Sequence, residues 1–315
     1  MELEFKEQIT AKMKEWIDKD NPQRTQAALA AKAKVSETET SLIARGIYVN
    51  GKHKGVDYPI KAASFLKMAI ALGVAVTEEE IHWNTHNFTR IQQVCQAFRE
   101  RKKVGMFDSD ESGVGKTYSL EYFKTFNDQV AYVKVTGTMG KKELLLEVAT
   151  QIIGESILNK PMGVRSLLEA IRSRVQTTFG YIIIFDELEY AKTTNLHLIK
   201  EIIDFTYGYC AVVACGMGLS DKITKLADKK KFGFPQLKRR LATNVIHLRP
   251  LQNTEKVEIL KLHAIVNPSA VKWFNKNVHD FQMMSEYVKD IVRFMKSKPE
   301  VDITEHVLDQ LFKAF

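Results

Sequence analysis

Apolar residues recur along this chain in two rhythms, and the change from one to the other divides it into three. Between residues 77 and 250, short and nearly continuous apolar runs alternate with stretches of helical period. The runs are Val104–Asp108, Ala131–Thr136, Tyr181–Asp186, Cys210–Cys215 and Val245–Leu248. Strands buried on both faces of a parallel sheet have this composition. The stretches Lys142–Gly154, Val164–Thr177 and Asn195–Thr206 then supply crossover helices on the two faces. The pattern predicts an α/β core built on a five-stranded parallel sheet. After residue 250 only the helical rhythm continues, in Asn253–Val266, Glu286–Lys296 and Asp302–Phe315. Residues 251–315 therefore read as a small helical lid.

Residues 1–76 form a separate helical domain in this reading, with Gly73–Asn84 connecting it to the core. The stretch Thr25–Ala33, the turn Lys34-Val35 and the stretch Ser36–Ala44 predict helix, tight turn, helix. Ala30 is small enough for two helices to cross closely, and Leu29, Val35, Leu42 and Ile43 supply a core. Ser36 is a good N-cap and Glu39, three residues on, completes a capping box. The unit is similar to the helix-turn-helix of phage repressors, with Lys34 in place of the usual turn glycine. Its second helix is expected to present Ser36, Thr38, Glu39 and Ser41, a polar face that suits DNA or a protein partner. Ala62–Leu72 predicts one more helix.

The chemistry is concentrated at the ends of two of the apolar runs. After the first comes Asp110-Glu111-Ser112-Gly113-Val114-Gly115-Lys116-Thr117, close to the G-x-x-x-x-G-K-[ST] pattern. Glycines there let successive backbone N–H groups curl round a phosphate, at the positive end of the helix that follows. Ser112, Gly113, Val114, Gly115, Lys116, Thr117 and Tyr118 are the candidate nucleotide-binding residues. Lys116 would reach the β- and γ-phosphates, and Thr117 would hold Mg²⁺. Asp110 stands where the pattern has its first glycine, a position Asp can fill because it tolerates left-handed backbone angles. The third run ends in Asp186-Glu187. Carboxylates at the C-terminal end of a buried parallel strand emerge where α/β ligands bind. Asp186 would hold Mg²⁺ with Thr117, and Glu187 would orient and deprotonate an attacking water. One strand intervenes in sequence between loop and acids, as in the additional-strand class of P-loop ATPases.

Composition narrows the classes. With 45% hydrophobic and 27% charged residues this is ordinary globular composition. No apolar stretch approaches the roughly 20 residues that span a bilayer, and Met1–Glu7 lacks the apolar core of a signal peptide. A cytoplasmic protein without a membrane partner is expected. Cys95, Cys210 and Cys215 have no metal-ligand spacing and read as buried free thiols of a reducing compartment. The net charge of +8 is lopsided: Lys222, Lys225, Lys229, Lys230, Lys231, Lys238, Arg239 and Arg240 crowd into one stretch with a single acid, Asp228. Such a block implies either a polyanion partner or a solvated charge run. Phe232 and Phe234 beside it read as core.

With these pieces in order, the chain resembles the MuB-like and TnsC-like AAA+ transposition ATPases, target-DNA selection proteins of transposable phages and transposons. The likeness rests on the repressor-like N-terminal domain, an approach segment from Asn87 to Arg101, the two ATPase motifs and the compact lid. It implies ATP and Mg²⁺ as cofactors, slow and regulatory ATP hydrolysis, and homo-oligomeric filaments or rings on double-stranded DNA of little sequence preference. It further implies delivery of that DNA to a transposase. By the same resemblance Pro235–Leu241 corresponds to the box that supplies an arginine finger to a neighbouring subunit, with Arg240 the first choice and Arg239 the second. Lys141 and Lys142, in a loop that lines the channel of related rings, become candidate DNA contacts together with Lys229, Lys230 and Lys231. The family pattern is not met at Cys215-Gly216-Met217, where a polar sensor is usual, nor at Gln282, near where a second sensor arginine is expected. Two other functions share these motifs: a helicase loader or replication initiator, and a transcription regulator in which ATP switches the helix-turn-helix.

Overall fold

The computed structural model describes residues 3–17, 21, 23–47, 50–53, 56–60, 62–72, 83–158, 162–230, 232–298 and 300–312. The chain divides into two compact units, Met1–His82 and Trp83–Phe315.

In the first unit, α1 (Leu3–Trp16), α2 (Gln26–Ala33) and α3 (Glu37–Ala44) are followed by β1 (Asn50–His53), β2 (Val56–Pro59) and α4 (Ala62–Leu72). Thr25 caps α2 by accepting from the N–H of Ala28. Lys34, at φ 53°, takes the left-handed turn in which glycine is usual. Ser36 accepts from the N–H of Glu39 at 3.1 Å, so the N-cap forms as the sequence predicts, and its hydroxyl donates to the Glu39 carboxylate at 3.1 Å. The face of α3 differs from expectation. Glu39 is buried, and its Oε1 accepts from the Ser64 hydroxyl at 2.9 Å. Cap geometry turns this carboxylate back towards the N-terminus of its own helix, and α4 covers it. Leu29, Val35, Leu42 and Ile43 form the core with Ile9, Met13, Phe65 and Met68. Strands β1 and β2 pair antiparallel, Asn50 opposite Pro59 and His53 opposite Val56.

The second unit opens with α5 (His86–Arg101). Alternating strands and helices follow: β3 (Val104–Ser109), α6 (Lys116–Phe126), β4 (Val130–Lys134), α7 (Lys141–Ile153), α8 (Val164–Thr177), β5 (Ile182–Asp186) and α9 (Thr193–Thr206). Then come β6 (Ala211–Met217), α10 (Leu219–Asp228), α11 (Phe234–Leu241) and β7 (Val245–His247). All five predicted strands form, in one parallel sheet of order β4-β5-β6-β3-β7. Side chains alternate across it as the pleat requires. Ile183, Phe185, Val212 and Ala214 join the larger core with the apolar faces of α7, α8, α9 and α11. Ile182, Ile184, Ala211 and Val213 face Ile91, Cys95, Leu120 and Phe123 of α5 and α6. All three cysteines are free and buried.

Four helices complete the unit: α12 (Asn253–Leu262), α13 (Pro268–Asn277), α14 (Phe281–Ser297) and α15 (Glu305–Phe312). They enclose their own core around Trp273, Phe274, Met284 and Val288. Several boundaries depart from the predicted ones, the last helix starting at Glu305 and not Asp302. The first helix ends at Leu262, where Ala264 at φ 59° turns the chain. Helix α14 starts five residues earlier than Glu286, because the Asp280 side chain caps it by accepting from the N–H of Met283. Among the described residues no helix is long and apolar enough to cross a membrane.

Candidate functional site

Strands β3 and β5 lie on either side of β6, so the loop after one and the acids after the other face each other across the end of β6. The loop takes its left-handed residues at Gly113 (φ 69°) and Gly115 (φ 85°). Asp110 is not among the positive-φ residues, so the tolerance for left-handed angles expected of it is never used; its side chain is exposed. Gly113 must also stay small. A Cβ there would lie 2.7 Å from the Asp280 side chain, and the Gly113 carbonyl accepts from the N–H of Phe281 at 2.8 Å. The N-terminus of α14 thus rests on the loop.

Lys116 opens α6 and turns its ammonium towards the Ser109 hydroxyl and the Glu111 carbonyl. Thr117 Oγ1 donates to Asp186 Oδ2 at 2.8 Å, uniting the two motifs read separately from sequence. Asp186 is 1% exposed, yet both its oxygens are engaged. Oδ2 also accepts from the Tyr132 hydroxyl at 2.8 Å, and Oδ1 accepts from the backbone N–H of Glu187 at 2.9 Å. Burial, then the nearby Asp186 charge, pushes the Tyr132 phenol up, so it remains a donor. Glu187 adopts the left-handed region (φ 56°) and sends its carboxylate to Lys134 Nζ at 3.0 Å. The hydrogen bond to Glu187 raises the Lys134 pKa.

Gly113, Gly115, Lys116, Thr117, Asp186 and Glu187 line a cavity of about 470 Å³ with Ser112, Val114, Tyr118, Glu189, Met217, Phe281, Gln282 and Ser285. It holds every nucleotide-binding and metal-binding candidate named from the sequence. The donor set also fits what it would have to hold. A lysine, a glycine-rich loop at a helix N-terminus and a hydroxyl–carboxylate pair suit a polyphosphate and a hard divalent cation. Burial, with Tyr122 second, pushes the Tyr118 phenol up to about 12.

Sequence reasoning missed Tyr132, Lys134 and Glu189. Glu189 Oε2 is buried and has no hydrogen-bond partner. A Cβ on Gly216 would stand 2.6 Å from it, which explains the glycine. Burial raises the Glu189 pKa, against the lowering effects of backbone N–H groups, Met217's among them, and of Lys116. Met217, at the end of β6, and Glu189, in the turn after β5, both line the cavity. The signal was present as a third acid in Asp186-Glu187-Leu188-Glu189.

The remaining candidates lie elsewhere. Lys141 pairs with Glu201 at 3.3 Å, and Lys142 is exposed. The loop before them is pinned by Lys192 donating to the Thr138 carbonyl and by Asn195 donating to that of Met139. Lys229 and Lys230 are exposed on the turn after α10; Lys231 lies outside the described residues. Lys222 leaves the basic surface block altogether. Its ammonium donates to the carbonyls of Glu189 and Ala191, clamping the turn after the acids, and burial lowers its pKa. Phe234 is fully buried, but Phe232 is 92% exposed. Gly233, at φ 83°, turns the chain between them and leaves only Phe234 against His197. Arg239 and Arg240 do not line the loop's cavity. Arg240 pairs with Asp204 at 3.2 Å and covers the Tyr207 ring at 4.8 Å.

A search of curated proteins finds no match in sequence. Among solved structures, the ORC2 protein of Aeropyrum pernix, determined as ADPNP–ADP complexes, superposes with a TM-score of 0.51 at 12% identity, over 73% of this chain and 68% of its own. NtrX of Brucella abortus in complex with ATP superposes with a TM-score of 0.50 at 11% identity, over 85% of this chain and 62% of its own. At such identities the likeness is one of fold. In sequence, residues 111–221 match the family described as AAA domain, a span that includes both the loop and the acidic pair. The chain therefore carries an AAA+ P-loop ATPase domain.

Proposed function

We propose that this protein is an ATP-hydrolysing switch that assembles in several copies on double-stranded DNA of any sequence and presents that DNA to a transposase. The observation that carries the catalytic half is the 2.8 Å bond between Thr117 and Asp186, beside Lys116 on a loop whose two left-handed positions are both glycine. In this reading the N–H groups of Ser112–Tyr118 and the Lys116 ammonium bind the phosphates. Thr117 and Asp186 hold Mg²⁺, whose charge would offset that developing on the transferring phosphoryl group. Glu187 accepts a proton from the attacking water. In this structure it is paired with Lys134, so it must first exchange that partner for the water. Such a step favours slow, regulated turnover. Arg240, or Arg239, lies away from its own chain's loop, as a residue acting on a neighbour's nucleotide must.

The DNA half rests on the resemblance and on charge. Lys142, Lys229 and Lys230 are exposed cations suited to phosphate contacts without base information. Lys141 joins them by exchanging its Glu201 partner, and Lys231 by sequence alone. In the helix-turn-helix, burial of Glu39 removes the acid from the face α3 would offer to DNA. α12–α15 act as the lid over the nucleotide.

The test is binding to random-sequence duplex with ATP, with ADP and without nucleotide, imaged by electron microscopy. Wild-type filaments only with ATP, their loss in Lys116→Ala and their persistence in Glu187→Gln are the expected results. Nucleotide-independent binding, or discrete complexes at one sequence, would overturn the reading.

A further inference from the structure

The opposite ends of the same strands carry a surface of different chemistry. The segments that enter β3, β5, β6 and β7 meet there with the last turns of α5, α8, α9 and α11. A cavity of about 540 Å³ opens among Arg101, Lys102, Lys103, Arg239, Arg240 and Tyr207, and no carboxylate lines it. The nearest acid the cations engage is Asp204, shared between Arg240 and Lys200. Five cations converging on one concave space repel one another unless an anion joins them.

Beside the cavity three large aromatic side chains face solvent: Phe179 is 74% exposed, Tyr207 59% and Tyr209 37%. Each carries a cation over its ring: Lys102 at 5.3 Å from Phe179, Arg240 at 4.8 Å from Tyr207 and Arg172 at 6.0 Å from Tyr209. They stand in the turns before β5 and β6, where nothing in the fold requires an aromatic residue. Exposed rings carrying cations, set beside a positive cavity, form a stacking platform of the kind that binds unpaired bases while the cations track their backbone. A duplex keeps its base faces inside and could use only the cations.

We propose that this edge binds single-stranded nucleic acid, with phosphates in the cavity and bases against Phe179 and Tyr207. The assignment needs neither Lys116 nor Glu187, so it stands apart from the nucleotide reading. It does place a second demand on Arg239 and Arg240, and the test therefore leaves both intact.

Full-length protein without nucleotide is titrated into a labelled oligothymidylate, an abasic strand of equal length and a duplex, read by fluorescence anisotropy. Wild type should bind the oligothymidylate most tightly. Phe179→Ala should weaken that binding roughly 5- to 150-fold, the range for one lost stacking contact, and leave the abasic strand unaffected. Lys103→Glu should weaken both strands and flatten the salt dependence. ATP turnover should remain at the wild-type level in both variants. Equal binding of abasic strand and oligothymidylate would overturn the proposal and leave a general anion site. Preference for duplex, or variants that bind the oligothymidylate as wild type does, would also overturn it. If ATP turnover is absent even in wild type while the Phe179 effect persists, the nucleotide reading fails and this one holds.

Discussion

Two carboxylates beside Asp186 set the residue-scale behaviour of the nucleotide pocket. Glu187 is tied to Lys134 at 3.0 Å, and a carboxylate oxygen already engaged by a cation must exchange that partner before it can accept a proton from water. Lys134→Ala should therefore raise basal ATP turnover at saturating ATP while leaving nucleotide affinity unchanged. Lower turnover would show that the lysine serves the reaction directly. Glu189 behaves differently because burial raises its pKa. A raised acid binds more protons folded than unfolded. Its charged form thus costs stability, and the cost grows as pH rises from the ordinary carboxylate range through the raised value. Glu189→Gln should unfold at a higher temperature than wild type at neutral pH, the gap closing as pH falls below the ordinary range; a pH series of thermal melts checks this. The partner of Glu187 could not be read from sequence. Lys134 reaches Glu187 because β4 pairs with β5 in the register Lys134 opposite Asp186, and register is a property of the assembled sheet.

At the scale of elements, what sequence revealed depended on whether the forming signal was local. The five strands were legible because strands buried on both faces must be apolar throughout, and the loop because its glycines and Lys116 are contiguous. The Ser36 cap was equally local. Ser36→Ala should cost about 1 kcal/mol, within the usual range for lost N-caps. Faster hydrogen exchange at the amides of Glu39 to Leu42 would report it. The hairpin of β1 and β2 escaped because Asn50-Gly51-Lys52-His53 shows no apolar alternation. Helix α13 escaped although Asn267 caps it and Pro268 occupies its first turn, because ten residues offer a single apolar cluster. The contact of α14 with the phosphate loop is wholly tertiary, and Gly113 reports on it. Gly113→Ala would place a side chain at φ 69° and against Asp280, at about 1–2 kcal/mol for the backbone alone. It should lower both nucleotide affinity, by calorimetry, and the melting temperature. Loss of affinity alone would mean that α14 yields freely.

For the whole molecule, the three cysteines report on global opening of the second unit. Cys95, Cys210 and Cys215 are buried in the two layers flanking the sheet, and burial pushes all three thiols up. The reactive thiolate is suppressed twice, by access and by protonation. Alkylation of native protein should be negligible at neutral pH, and all three sites should become labelled together in denaturant. Early labelling of one alone would reveal local opening of its layer.

Strand β3 has a further consequence as a spacer. Its six residues separate the phosphate loop from the cationic mouth by roughly 20 Å, more than twice the screening length of about 8 Å at physiological ionic strength. Direct charge–charge coupling between ligands at its two ends is small at that distance, and the part carried through solvent is screened. Each affinity on its own should weaken with salt, but any cooperativity between the two must travel as displacement of the sheet and its helices. The interaction free energy measured in a two-ligand cycle should then be the same in dilute and concentrated salt, as for a lever and not for a pair of ions.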